Sequence, residues 1–135
     1  MEQFSDYSHA IASIALWSLL VIVLAGLSTK GRTSEGRCDC GKPKRNYADP
    51  VYRRERAFMN AVEGGGPFIG ATLAAMLAGA SPFAVNLLAS LYLVFRIAMA
   101  IVHVRTENQK LRSASFAAGL LCTVGLAVMA VIAAF

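Results

Sequence analysis

The chain has 135 residues, 56% of them hydrophobic and 16% charged, with a formal net charge of +5. Soluble domains average about 45–50% apolar and roughly 25% charged residues. A chain this greasy is therefore not disordered, collagen-like or a disulfide-knotted secreted module, and its apolar residues fall into long blocks that mark a membrane protein.

Each of the four blocks approaches the ~20 residues needed to cross ~30 Å of hydrocarbon, and together they use up the chain as one domain, 1–135. The spans are predicted at about 9–29, 56–80, 83–104 and 113–135, with a polar loop at about 30–52. The blocks are continuous, and membrane β-strands alternate over about ten residues, so the expected fold is an all-α integral-membrane four-helix bundle. The segment before the first block carries Glu2 and Asp6 and no Lys or Arg, the wrong flank for a cleaved signal peptide, so that block reads as a retained span.

The loop at 30–52 is basic, and Arg53, Arg54 and Arg56 extend its charge into the mouth of the second span. Arg105, Lys110 and Arg112 lie between the third and fourth spans, whereas the N-terminal tail, the turn at 79–82 and the C-terminus have no Lys or Arg. Lys and Arg in short loops stay cytoplasmic, so loops 30–55 and 105–112 are expected in the cytosol and both termini on the opposite side. The positive charge suits anionic headgroups or an anionic substrate; with few interleaved aromatics it does not suit nucleic acid. Cys38 and Cys40 lack structural zinc spacing and have no second pair, so no metal site is expected. They read as ordinary reduced loop cysteines, with a metal or redox role as the alternative, and Cys122 as a packing residue of the fourth span.

The second span carries Arg53, Arg56, Asn60 and Glu63 at spacings of three, four and three, one stripe on a helix. The third span carries Arg96 and His103 seven apart. At 1.5 Å per residue, Glu63 and Arg96 lie at similar depth from the basic ends. Buried charges need a partner or a wet cavity, so two readings stand: a Glu63–Arg96 ion pair tying spans two and three, or a polar cavity with Asn60 and Glu63 in its wall. Gly64, Gly65, Gly66 and Pro67 follow, and a kink or close helix approach is expected there. Arg112 and Ser113 place a cation and a hydroxyl at the mouth of the fourth span, as an anchor or as part of a site.

The element Arg53-x-x-Arg56-Ala57-x-x-Asn60-x-x-Glu63-x-x-x-Pro67-Phe68, then Arg96 and His103, then Arg112 and Ser113, resembles the MAPEG family, membrane-associated proteins in eicosanoid and glutathione metabolism. The match covers about residues 53–116 in order and spacing. The resemblance implies a homotrimer of four-helix subunits that binds glutathione between neighbours near the cytosolic side. It assigns glutathione contacts to Asn60, Glu63, His103, Arg112 and Ser113, and site-lining or structural roles to Arg56 and Arg96. Guanidinium groups suit the two carboxylates of glutathione and Glu63 its ammonium. By the family pattern Arg112 is the thiol activator, since a cation near sulfur raises the thiolate fraction, and Ser113 a donor to the sulfur. The chain departs from that pattern at Met59, Met99 and His103, and the arginine some members carry at the end of span one has only Lys30 or Arg32 as a substitute.

The implied activity is a membrane-bound glutathione-dependent transferase or peroxidase acting on lipophilic electrophiles or hydroperoxides, with glutathione as co-substrate and the lipophile, membrane lipids and a second copy of the chain as further partners. The alternative is a non-catalytic scaffold of the same fold, in which Arg56, Glu63 and Arg96 only lock the bundle. A transporter fits less well, because the spans offer two buried charges and no acidic ring.

Overall fold

The computed structural model describes residues 2–135. A 3-10 turn, Glu2–Tyr7, leads into α1, Ser8–Thr29. A loop at 30–49 follows, then α2 (Pro50–Glu63), α3 (Gly65–Leu77), α4 (Pro82–Arg105) and α5 (Gln109–Ala134). The described residues are helical apart from loops and one isolated bridge between Arg37 and Pro43. Three segments, Phe4–Thr29, Pro82–Arg105 and Gln109–Ala134, are each long and apolar enough to cross a membrane. Their outward faces carry exposed Leu19, Ile22, Leu121, Val131 and Ile132, as a lipid-facing surface requires.

Local chemistry sets the helix ends. Asp49 accepts a hydrogen bond from Val51 N at 2.8 Å, with Pro50 in the first helical position where its missing N–H costs nothing. Asn108 caps α5 by accepting from Leu111 N at 3.1 Å. At the end of α3, Ala80 N reaches Ala75 O at 3.0 Å and Gly79 N reaches Met76 O at 3.2 Å. This double bond pattern needs a left-handed residue, and Gly79 supplies it with φ 73°.

The second hydrophobic segment is two helices meeting at Gly64. The ring of Pro67 leaves the Glu63 carbonyl without its helical donor. The Tyr92 hydroxyl donates to Gly64 O at 2.9 Å and steadies the join from α4. Close packing makes the glycines necessary. A Cβ on Gly64 would stand 2.9 Å from the Arg96 guanidinium carbon, and one on Gly65 would enter the Trp17 ring, whose Cε2 is 3.2 Å away. The expected kink is thus also a close approach, with α1 and α4 pressed against the break.

At its core, α4 packs on α1, α2, α3 and α5. Phe68 stacks on Tyr92 with centroids 3.8 Å apart and planes 9° from parallel, among buried Val85, Ala89 and Leu126. The end away from the long loop is tied by the Tyr7 hydroxyl, which donates to Ala80 O, and by Asn86, which accepts from Ala10 N at 2.9 Å and donates to Asp6 O at 2.7 Å.

At the other end, the first turns of α2 clasp the loop. Arg54 donates to Lys30 O at 2.8 Å, and Arg53 donates to Tyr47 O at 2.7 Å and Ala48 O at 3.0 Å. Arg32 pairs with Glu55 and donates to Ser28 O at 2.8 Å. The charged opening of α2 therefore holds loop 30–49 on the bundle. One expectation for this loop is corrected: Cys38 and Cys40 are joined to each other as a disulfide rather than standing as separate thiols. Two cysteines one residue apart at a tight turn bring their sulfurs together, which sequence spacing alone does not decide. Cys122 is buried in α5.

Candidate functional site

A cavity of about 490 Å³ opens at the loop end of the bundle, within the range of small-molecule sites. Its walls include Asn60 from α2, His103 from α4, and Gln109, Arg112, Ser113 and Phe116 from α5. The loop contributes Arg45 and Tyr47. Asn60 Nδ2 and His103 Nε2 lie 2.9 Å apart, and both side chains are buried. The amide donates and the ring nitrogen accepts if Nε2 is unprotonated, so this contact fixes the imidazole tautomer with Nδ1–H. That Nδ1 is buried and has no partner among the described residues.

Arg112 is the dominant charge of the cavity. It is 7% exposed, its guanidinium carbon lies 3.8 Å from the centroid of the Tyr47 ring, and its buried Nη1 has no hydrogen-bond partner among the described residues. A buried guanidinium with an unused N–H, on the wall of a cavity of this size, is a ready donor to an anion. Ser113, exposed on the next residue, adds a hydroxyl to the same wall. Tyr47 is held in place through Arg53, so the charge run that opens α2 acts on the site through the loop.

Four of the seven residues singled out from the sequence, Asn60, His103, Arg112 and Ser113, meet around this cavity. Arg56 lies beside them and reaches Asn60 Oδ1 at 3.5 Å. Glu63 and Arg96 line a second cavity of about 120 Å³ with Gly64, Pro67, Leu120 and Thr123. Phe116 borders both cavities.

The expected Glu63–Arg96 ion pair does not form. Glu63 is half exposed and faces Arg56 at 3.8 Å. Arg96, 2% exposed, has no carboxylate within 4.0 Å among the described residues. Its guanidinium carbon lies 4.9 Å from the Tyr92 ring centroid and 5.2 Å from that of Phe116, and Nη1 contacts Met99 Sδ at 3.5 Å. Similar distance along two helices does not by itself bring two side chains together. Arg96 turns toward the break at Gly64 and its aromatic neighbours, while Glu63 stays on the outer face of α2.

Arg45, Tyr47, Gln109 and Phe116 were missed. Gln109 and Phe116 stand three residues before and four after Arg112, so a helical wheel centred on Arg112 would have found both. No periodic signal marks Arg45 and Tyr47, which reach the cavity because the loop folds back. Arg32, a possible stand-in for the arginine at the end of span one, is instead engaged with Glu55.

The fold and cavity together define a multi-span helical membrane protein with a cationic, amide- and imidazole-bearing pocket at one end. The model of the MAPEG family matches residues 7–132, and the chain belongs to that family. No curated protein matches it.

Proposed function

We propose that the protein is a membrane-bound glutathione-dependent transferase or peroxidase, with the thiol bound in the cavity of Asn60, His103, Arg112 and Ser113. The observation that carries this reading is the buried Nη1 of Arg112 on the cavity wall, which has no hydrogen-bond partner among the described residues. A thiol placed there loses its proton more readily because the guanidinium stabilises the thiolate, which is the nucleophile. Ser113 Oγ donates to the sulfur, Asn60 serves the peptide's amide groups, Arg45 and Arg56 suit its carboxylates, and Glu63, which faces Arg56, suits its ammonium. The thiolate attacks an electrophilic carbon and displaces its leaving group, or attacks the terminal oxygen of a hydroperoxide. Attack on oxygen breaks the O–O bond to leave the alcohol and a sulfenic acid, which a second glutathione converts to the disulfide and water. The lipophile enters from the apolar faces of α4 and α5. Both reactants are then held at the membrane surface in one geometry. The basic loops lie in the cytosol with the termini opposite, and three copies assemble so that a neighbour covers the open side of the cavity.

A scaffold reading keeps one observation in its favour: Glu63 is already paired with Arg56 and Arg96 is already packed between rings, so neither waits for a ligand. Purified protein in detergent separates the two. Equilibrium dialysis at millimolar glutathione should show binding, and difference absorbance should show bound thiolate in wild type and its loss in Arg112→Ala, with the oligomer intact. Absence of glutathione binding by wild type would leave the scaffold.

A further inference from the structure

We propose that Cys38 and Cys40 form a thiol–disulfide exchange site for small acidic thiols, opened and closed without unfolding the loop. The pair is joined across a single residue, Asp39. The hairpin around it is held by backbone bonds, Cys38 N to Lys42 O at 2.9 Å, Gly41 N to Cys38 O at 2.8 Å and Lys44 N to Gly36 O at 2.9 Å, and by two side-chain bonds, Lys44 Nζ to Glu35 O at 2.9 Å and Gly36 N to Thr33 Oγ1 at 3.2 Å. None of these involves sulfur, so reduction leaves the turn in place and the two thiols face to face. Re-closure is then an intramolecular step with little chain entropy to lose.

Access and charge point the same way. Cys40 is exposed and Cys38 half buried, so an incoming thiolate meets the Cys40 sulfur first. Arg37, Lys42, Lys44 and Arg45 flank the pair in the sequence, against Glu35 and Asp39. That surplus of cations stabilises the thiolates that exchange requires and draws anionic thiols toward them. The hairpin runs on directly into Arg45 and Tyr47, which wall the larger cavity. The proposal also draws on the cytosolic placement of this loop proposed above, because disulfides in a reducing compartment are characteristically transient and redox-active.

The chemistry balances with the thiol as the sole reductant. A thiolate attacks Cys40 Sγ, the S–S electron pair leaves on Cys38 as thiolate, and a mixed disulfide forms at Cys40. A second thiolate attacks the small-molecule sulfur of that mixed disulfide and releases Cys40 as thiolate. Two thiols become one low-molecular-weight disulfide, the protein disulfide becomes two thiols, and water supplies their protons. Oxidised thiol drives the same steps backwards.

The full-length protein in detergent, equilibrated in buffers of reduced and oxidised glutathione, alkylated and mapped by peptide mass, tests this. The pair should open in millimolar glutathione, close again in oxidised glutathione, and do both without denaturant. In Cys38→Ser, oxidised glutathione should load Cys40; in Cys40→Ser, Cys38 should react at least about fivefold more slowly, as its lesser exposure requires. Glutathione should open the pair faster than cationic cysteamine, and added salt should narrow the difference. A bond that yields only to denaturant, a pair that stays as two thiols in excess oxidised glutathione, or equal rates for glutathione and cysteamine would each overturn the proposal. Neutral mercaptoethanol should also open the bond, so a chain unable to bind glutathione in its cavity would still show exchange. An impermeant maleimide on sealed vesicles reports the side of the loop separately.

Discussion

Arg96 offers the sharpest test of the packing described here, because its charge sits deep between rings without a carboxylate. Arg96→Met keeps much of the side chain's length and removes the charge. Losing the two ring contacts, at 4.9 and 5.2 Å, costs about 0.5–2 kcal/mol each. Removing an arginine from the interior of a span gains back about 2.5–3.5 kcal/mol on insertion scales. The two nearly cancel, so Arg96→Met should stay within about 2 kcal/mol of wild type. Glu63→Gln breaks only a half-exposed pair at 3.8 Å and should cost about 0–1 kcal/mol. The double variant should equal the sum of the singles within about 0.5 kcal/mol. Thermal unfolding in detergent, followed by the fluorescence of Trp17, the chain's one tryptophan and a neighbour of the break through Gly65, reads all three. A loss of about 3–5 kcal/mol in Glu63→Gln, with strong coupling to Arg96, would restore the buried ion pair and refute the geometry.

Other outcomes follow from the same contacts. Gly65→Ala drives a methyl into Trp17 and should destabilise by about 1–3 kcal/mol, whereas at Gly66, where a Cβ meets nothing within 4 Å, alanine should be neutral or gain up to about 1 kcal/mol; paired melting curves decide it. Tyr47→Leu removes the ring beneath Arg112, worth about 0.5–2 kcal/mol, and should weaken glutathione binding several-fold in equilibrium dialysis while leaving the helical circular-dichroism signal unchanged. Asn60→Leu strands His103 Nε2, at a cost of about 1–3 kcal/mol, and should lower both melting temperature and thiol affinity; His103→Phe with Asn60→Leu should recover stability but not affinity.

Cavity and break illustrate different kinds of legibility. Arg53, Arg56, Asn60 and Glu63 stand at helical spacing, so their alignment along α2 could be read before any fold was known, though not which of them enters the cavity. Gln109 and Phe116 obey the same rule around Arg112. Tyr47 does not: it comes to Arg112 through a loop whose path is set by Arg53, Arg54 and the Arg32–Glu55 pair, contacts between residues far apart in the chain. Glu63 and Arg96 show the limit from the other side, since matching depth on two helices leaves their rotation about the helix axes open.

What the chain determined by itself was that its apolar blocks are helical, that the second is interrupted at its glycines, and that this is a membrane protein. Those properties depend on local composition, capping residues and a glycine–proline break, each acting within a few residues. Only the tertiary structure decided which charges face each other, that Arg96 sits between rings rather than beside Glu63, and that a folded-back loop lays Tyr47 over Arg112 in the cavity wall. Those choices turn on helix rotation and loop closure, where competing partners at similar depth are separated by packing against residues that spacing along one helix cannot see.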